Sequence, residues 1–253
     1  MPIVTGVHDT QFHAMPDGRR IAFRHLPGTG PALVFLPGYM SDMAGGKATA
    51  LYDRARETGC ECLLLDYSGC GESEGHFADG TLSRWREEVL ALVAARIEGP
   101  VVLVGSSMGG WLMLLVGEAL GSQLAGMVGI AAAPDFSDWG YPEDLKAKLR
   151  AGETVFEDNP YGPEPTPTHA RFWQDAETHK LLDRTIAIDC PVRLLHGQND
   201  ADVPWQTSLR LAEALRSGDV QVTLVKAGDH RLSREEDIAL LLRTVEHLPG
   251  SPP

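Results

Sequence analysis

The chain has 253 residues, of which 43% are hydrophobic and 23% are charged, and its formal net charge is −13. This length and composition suit one large soluble α/β domain with a sizeable core. The acidic balance argues against nucleic acids and anionic membrane surfaces as partners, because both favour clusters of Lys and Arg.

The N-terminal segment contains no basic stretch followed by an apolar one, so no secretory signal is predicted. Asp9 and Asp17 also argue against a transit peptide, and a cytoplasmic location is therefore expected. Residues 10–14 and 20–24 are the first predicted strands. Because Asp17-Gly18 lies between them, they are expected to form a hairpin.

Short apolar runs then alternate with helical patterns, which predicts an α/β fold with a mostly parallel central sheet and helices on both faces. The predicted strands are residues 32–36, 62–66, 101–104, 127–132, 192–195 and 220–225. The predicted helices are residues 49–58, 82–97, 108–120 and 233–247, with one more between the last two strands. Ser233 and Glu236 fit a capping box at the start of the last helix.

One uncharged stretch, residues 99–117, approaches the length of a membrane span. It contains five glycines, two serines and Pro100, which favour a strand, a tight turn and a helix instead. No membrane span is therefore predicted.

Four cysteines are present, and none forms a C-x-x-C pair. A zinc site is therefore not indicated. The cysteines are interpreted as buried or half-buried thiols in a reducing compartment.

The alternation of strands and helices breaks between Pro134 and Thr185. After Pro134, this segment contains five further prolines and no clear strand. This segment is interpreted as a small cap inserted into a single domain that spans residues 1–253. It holds seven of the 17 aromatic residues: Phe136, Trp139, Tyr141, Phe156, Tyr161, Phe172 and Trp173. Either some of them line an acyl pocket or they only pack the cap onto the body.

The run Gly105-Ser106-Ser107-Met108-Gly109 matches G-x-S-x-G directly after a predicted strand and before a predicted helix. In that context the pattern is typical of the sharp turn that presents a nucleophilic serine. Gly105 and Gly109 leave room where a Cβ would clash, and the helix dipole favours a developing oxyanion. Ser107 is the predicted nucleophile; a chance match or a packing motif is the alternative.

A serine hydroxyl is a weak nucleophile and needs a base poised near neutral pH, which indicates histidine. In folds with this turn the chain order is Ser, acid, His. His230 follows the last predicted strand and is the predicted base. Asp200 follows the strand at 192–195 and is the predicted acid, with Asp202 as the competing choice. His196 is interpreted as structuring the acid loop, and the other histidines as structural or solvated.

An oxyanion hole needs two backbone N–H donors. One is predicted at Met108, the residue after the nucleophile. The other is predicted at Tyr39, in the loop after the first buried strand, where Gly38 permits the turn. The Tyr39 ring is expected to cover the site, although a plain turn at Pro37-Gly38 is the alternative.

Five segments extend beyond this generic pattern: FLPGYMSDM, LLLDYSGCGESEG, LVGSSMGGWLML, CPVRLLHGQNDADVPW and GDHRLSREEDI. On these segments the chain resembles the α/β-hydrolase domain-containing protein 10 family, which comprises acyl-protein thioesterases also described as acyl-glucuronide esterases, and its bacterial relatives. The resemblance implies the α/β-hydrolase fold and the same roles for Ser107, Asp200 and His230.

Trp111 and Trp205 belong to the same family pattern. Together with Tyr39, Phe172 and Trp173 they are the predicted substrate-binding residues. The segment from 134 to 185 departs from the pattern, so the resemblance does not extend to substrate choice.

These features predict a serine esterase or thioesterase that works through an acyl-enzyme intermediate, without a metal or a cofactor. The substrate is expected to be a small-molecule or acyl-protein ester or thioester. Two alternatives remain: peptide or C–C bond cleavage by the same residues, and a non-catalytic binding protein, because fold alone does not give function. The sequence indicates neither the acyl chain length nor the oligomeric state.

Overall fold

The computed structural model describes residues 10–159 and 162–248, so Tyr161 lies outside the described residues. Within them, eight strands form one sheet in the order β1-β2-β4-β3-β5-β6-β9-β10. These strands are β1 (Gln11–Ala14), β2 (Arg20–Leu26), β3 (Thr29–Leu36), β4 (Cys60–Leu65), β5 (Val101–Ser106), β6 (Leu124–Ile130), β9 (Val192–Gly197) and β10 (Val220–Val225).

The sheet is parallel from β4 to β10, while β1 and β2 form an antiparallel hairpin whose second strand runs antiparallel to β4. The predicted mostly parallel sheet and the predicted hairpin are thereby confirmed. Strand β5 lies between β3 and β6, so its carboxyl end opens at the middle of the sheet. In α/β sheets this edge is where ligands bind.

Helices cover both faces of the sheet, as predicted. They are α1 (Gly46–Thr58), α2 (Leu82–Arg96), α3 (Met108–Leu120), α7 (Gln206–Ala214) and α8 (Glu235–Glu246). In β5, Val101 and Leu103 pack into the core under α2, α3 and α7, whereas Val102 and Val104 pack into the core under α1 and α8. Because successive side chains of a strand point to opposite faces, this apolar run is buried on both sides.

Helix α3 is buried over residues 108–117, which include no charged side chain. A helix that is apolar on all sides belongs in the interior. The uncharged stretch at 99–117 is therefore β5, a turn and most of α3, as predicted. Among the described residues, no helix is long and apolar enough to cross a membrane. The thiols of Cys60, Cys62 and Cys70 are buried and that of Cys190 is half-buried.

The start of α8 differs from the prediction. The helix begins at Glu235, and Asp237 rather than Glu236 accepts the N-terminal hydrogen bond, from the backbone N–H of Arg234 at 3.2 Å. The guanidinium of Arg234 adds two further hydrogen bonds to the same carboxylate. The predicted capping box at Ser233 is wrong by one residue, because Leu232 is buried in a left-handed turn that delays the helix.

Between β6 and β9 the chain leaves the sheet and forms the cap segment, defined as residues 134–185. Its elements are α4 (Phe136–Trp139), α5 (Glu143–Arg150), β7 (Val155–Glu157), β8 (Thr166–Thr168) and α6 (Ala170–Glu177). The sequence shows no clear strand in this segment, but the structure contains two short ones, β7 and β8, which pair antiparallel. Each has only three residues and β8 contains Pro167, so neither shows a strand period in the sequence.

Candidate active site

Ser107 occupies the turn between β5 and α3 with φ 56° and ψ −121°. A non-glycine residue with positive φ is strained and persists only where surrounding contacts hold it. Its N–H donates to the carbonyl of Ile130 at 2.9 Å, and its carbonyl accepts from the N–H groups of Gly110 at 2.8 Å and Ala133 at 3.1 Å. The backbone around the turn therefore presents the Ser107 side chain at the carboxyl edge of the sheet.

The two glycines of the motif are required by close packing. A Cβ at Gly109 would lie 2.1 Å from the carbonyl oxygen of Leu36, and a Cβ at Gly105 would lie 2.4 Å from the carbonyl oxygen of Gly109. Both distances are far shorter than a van der Waals contact, and the atoms concerned belong to the backbone and cannot move aside. Glycine at these positions thus lets α3 approach β3 and β5 closely enough to form the turn.

His230 lies in the loop between β10 and α8 and reaches back to Ser107. Its Nε2 is 3.0 Å from Oγ of Ser107, and its Nδ1 is 2.8 Å from Oδ2 of Asp200. The loop is tied to the start of α1, because Nζ of Lys47 donates to the carbonyl of Arg231 at 2.5 Å. The three predicted side chains therefore form a continuous hydrogen-bonded series, although they are far apart in the sequence.

The Asp200 side chain is 0% exposed, yet it accepts several hydrogen bonds. Oδ1 accepts from the N–H groups of Asp202 at 2.9 Å and Val203 at 2.8 Å. Burial by itself raises the pKa of Asp200, but hydrogen bonds from His196 and His230 outweigh burial and hold that pKa well below its usual range. Asp200 is accordingly a carboxylate anion fixed between backbone and imidazole donors.

Asp202 is exposed, and one of its carboxylate oxygens lies within 4.8 Å of donor atoms of Asp200 and His230. Three such side chains are a possible set of metal ligands. However, N–H groups already bond both oxygens of Asp200, and Nδ1 of His230 bonds Asp200 rather than Asp202. This arrangement favours an orienting role for Asp200 over ligation.

The loop after β3 passes directly over Ser107. A Cβ at Gly38 would lie 3.4 Å from Cβ of Ser107, and the Tyr67 hydroxyl donates to the carbonyl of Pro37 at 3.1 Å to hold the loop. Met108 is the first residue of α3, where N–H groups have no partner within the helix. The backbone N–H groups of Tyr39 and Met108 thus belong to segments that flank the Ser107 side chain.

Five rings lie between the loop after β3, helix α2 and the cap segment, and are called the ring cluster: Tyr39, Phe77, Trp85, Phe136 and Phe172. The centroid of Tyr39 lies 4.9 Å from those of Phe77 and Phe172 and 6.3 Å from that of Phe136. The Tyr39 hydroxyl donates to the carbonyl of Pro167 in β8 at 3.0 Å. Tyr39 therefore joins the loop beside Ser107 to the cap segment.

The other predicted substrate-binding residues lie in different surroundings. Trp111 is fully buried in α3 and packs against Phe136 with ring centroids 5.6 Å apart. Trp173 lies in the cap's own core, where its Nε1–H donates to the carbonyl of Ser137 at 2.8 Å. Trp205 is half-buried at the start of α7. Of the two predicted substrate-binding residues in the cap, Phe172 and Trp173, the structure brings only Phe172 to the ring of Tyr39.

Three rings of the cluster were missed as site residues: Phe77, Trp85 and Phe136. Phe136 is one of the cap aromatics, and no spacing in the sequence distinguishes it from Trp139 or Tyr141. His196, interpreted from the sequence as structuring the acid loop, bonds Asp200 directly through its imidazole. The pattern His-x-x-x-Asp after a strand was the one available signal.

The chain is similar to known proteins over most of its length. The model of the Alpha/beta hydrolase family matches residues 33–244. Human palmitoyl-protein thioesterase ABHD10, mitochondrial, is 38% identical over 237 residues, which cover 92% of this chain and 78% of the human protein. The structure of alpha/beta hydrolase domain-containing protein 10 from mouse superposes with a TM-score of 0.87 at 37% identity, covering 94% of this chain and 97% of the mouse chain. A putative hydrolase from Agrobacterium vitis S4 superposes with a TM-score of 0.88 at 38% identity, covering 94% of this chain and 98% of the Agrobacterium chain.

Proposed function

The chain belongs to the alpha/beta hydrolase family, and from that premise we propose that Ser107, His230 and Asp200 are the catalytic triad of an ester or thioester hydrolase. The observation that carries the proposal is the unbroken series of hydrogen bonds from Oγ of Ser107 through both ring nitrogens of His230 to Oδ2 of Asp200. Labelling of Ser107 by a fluorophosphonate, combined with turnover of a p-nitrophenyl ester, tests it.

The reaction follows from these positions. Oγ of Ser107 attacks the acyl carbon while Nε2 of His230 takes its proton, and Asp200 stabilises the imidazolium that forms. The oxyanion of the tetrahedral intermediate accepts hydrogen bonds from the backbone N–H groups of Tyr39 and Met108. His230 then protonates the departing alcohol oxygen or thiol sulfur, and water releases the acyl group from Ser107 by the same steps.

Acidification is expected to lower the rate through the uptake of a single proton. His230 must be neutral to accept the proton of Ser107. Asp200, whose pKa is held well below its usual range, stays charged at every pH above about 4. We therefore expect kcat/KM to fall with decreasing pH with a slope of one proton, down to about pH 4. A pH–rate profile on folded enzyme checks this, and a slope of two protons would contradict it.

The substrate class follows from the relatives and from the ring cluster. The curated relatives are named palmitoyl-protein thioesterases. In this chain Tyr39 belongs to the loop that covers Ser107, and its ring lies against the rings of Phe136 and Phe172. We propose that they contact the acyl chain of an acyl thioester or ester, and that the cap segment, 134–185, acts as the lid of a single-domain enzyme and sets the acyl specificity.

Phe172 and Trp173 are adjacent in α6 and provide a matched pair for this proposal. Phe172→Leu removes a ring that contacts Tyr39, whereas Trp173→Phe changes a ring that lies in the cap's own core. We expect Phe172→Leu to change the relative kcat/KM of long and short acyl chains by about tenfold, since each buried methylene contributes about 0.8 kcal/mol. Trp173→Phe is expected to leave that ratio within about twofold.

The measurement is a series of p-nitrophenyl esters from acetyl to palmitoyl, with thermal unfolding of both variants as the control for stability. An unchanged chain-length profile in Phe172→Leu would remove the ring cluster from the acyl site. A profile altered equally by Trp173→Phe would show that cap stability, rather than the position of Phe172, controls it.

The cellular location stays a prediction. A cytoplasmic location is expected from the sequence, while the curated relatives carry the word mitochondrial in their names.

A further inference from the structure

His196 is the fifth residue of β9, and its imidazole is 0% exposed. A buried polar ring must find hydrogen-bond partners or destabilise the fold. Nδ1 of His196 lies 2.7 Å from Oγ of Ser208 in α7. Nε2 lies 3.2 Å from Oδ2 of Asp200 and 3.1 Å from the carbonyl oxygen of Val203.

These partners determine the hydrogen-bond role of each ring nitrogen. Val203 offers a carbonyl oxygen and Asp200 an ionised carboxylate, and both can only accept. Nε2 of His196 must therefore carry the proton and donate, so Nδ1 accepts from the hydroxyl of Ser208. The hydrogen-bond network assigns this tautomer, and Ser208 keeps the ring from rotating.

The triad acid consequently receives N–H donors from two imidazoles at the same atom. Oδ2 accepts from His230 at 2.8 Å and from His196 at 3.2 Å, while Oδ1 accepts from two backbone N–H groups. Rotation of the carboxylate would break bonds at both oxygens. Without His196, the donors other than His230 itself would be the two backbone N–H groups on Oδ1.

We propose that His196 is a positioning residue for catalysis, whose Nε2–H holds the Asp200 carboxylate in the orientation that aligns His230 with Ser107. The proposal rests on the proposed triad and extends it by one residue. His196 touches neither substrate nor the reacting atoms, so its effect should fall on kcat and leave KM unchanged.

Two substitutions separate this role from a structural one. In His196→Gln the side-chain amide nitrogen can occupy the place of Nε2 and donate to Asp200. In His196→Asn the shorter amide can occupy the place of Nδ1 and keep the contact with Ser208, but it does not reach Asp200. The two variants are both neutral amides in the same cavity, and they differ in which of the two hydrogen bonds they preserve.

We expect His196→Asn to lower kcat about 10- to 100-fold with KM changed less than about twofold, the loss typical of a hydrogen bond to a charged group. His196→Gln is expected to keep kcat within about threefold of the parent. Proton NMR supplies a second readout, since the downfield resonance of the proton between His230 and Asp200 should persist in His196→Gln and shift or broaden in His196→Asn.

The proposal is overturned if His196→Asn keeps full kcat, or if both variants lose kcat equally and in step with their thermal unfolding midpoints. Failure of the triad itself gives a different result. In that case Ser107→Ala would stay active whatever the His196 variants do, whereas an inactive Ser107→Ala beside a fully active His196→Asn would overturn only the positioning role.

Discussion

Ser107→Ala is expected to lower kcat by about 10⁴-fold or more, leaving only the turnover that substrate binding and the oxyanion donors support. The loss is this large because the variant has no hydroxyl at the position to which His230 points, 3.0 Å from its Nε2. A fluorophosphonate should label the parent enzyme at Ser107 and abolish hydrolysis of a p-nitrophenyl ester. Peptide mapping of the labelled protein identifies the modified residue.

Ser106 is the matched control, because it is the preceding residue, also a serine, and buried at the end of β5. Ser106→Ala should remain active and should still be labelled at Ser107. Labelling confined to Ser106, or full activity in Ser107→Ala, would remove Ser107 from the mechanism. Circular dichroism of both variants verifies that the strained turn has kept its fold.

Asp200→Asn should reduce kcat by roughly 10³- to 10⁴-fold. The amide cannot replace the carboxylate, because Oδ2 of Asp200 accepts from both His196 and His230. An NH₂ group turned toward Nδ1 of His230 would favour the tautomer that carries its proton on Nε2, which cannot take the proton of Ser107. The loss of the anion also removes the charge that stabilises the imidazolium. Steady-state kinetics with saturating ester measures the effect.

Asp202→Asn makes the same change of charge on an exposed carboxylate in the same loop. We expect it to lower kcat by less than about tenfold, since the removed charge is screened by solvent. If Asp202→Asn were the more damaging variant, the assignment of the acid would be reversed. Equal losses would indicate that the loop, rather than either carboxylate, supports catalysis.

Most of the fold could be predicted from local pattern. The apolar runs at β3, β4, β5, β6 and β9 are long enough to show burial on both faces, and each ends in a turn or a helix with its own signal. The cap strands β7 and β8 could not be predicted, because three residues do not complete a measurable period and Pro167 argues against a strand. The capping box was predicted one residue early because Ser is a preferred N-cap residue and Arg is not, whereas in the structure Arg234 is the N-cap and Asp237 closes the box.

The sequence by itself was enough to predict the three residues of the candidate site. Ser107, Asp200 and His230 each follow a recognisable strand in the required order, and parallel strands bring such loops to one edge of the sheet. Tertiary structure alone decided which neighbours surround them. It turned Phe172 toward Tyr39 and Trp173 into the cap core, and it placed the ring of His196 on Asp200. These choices depend on distances of a few ångströms between elements remote in the chain, and no periodicity within one element encodes them.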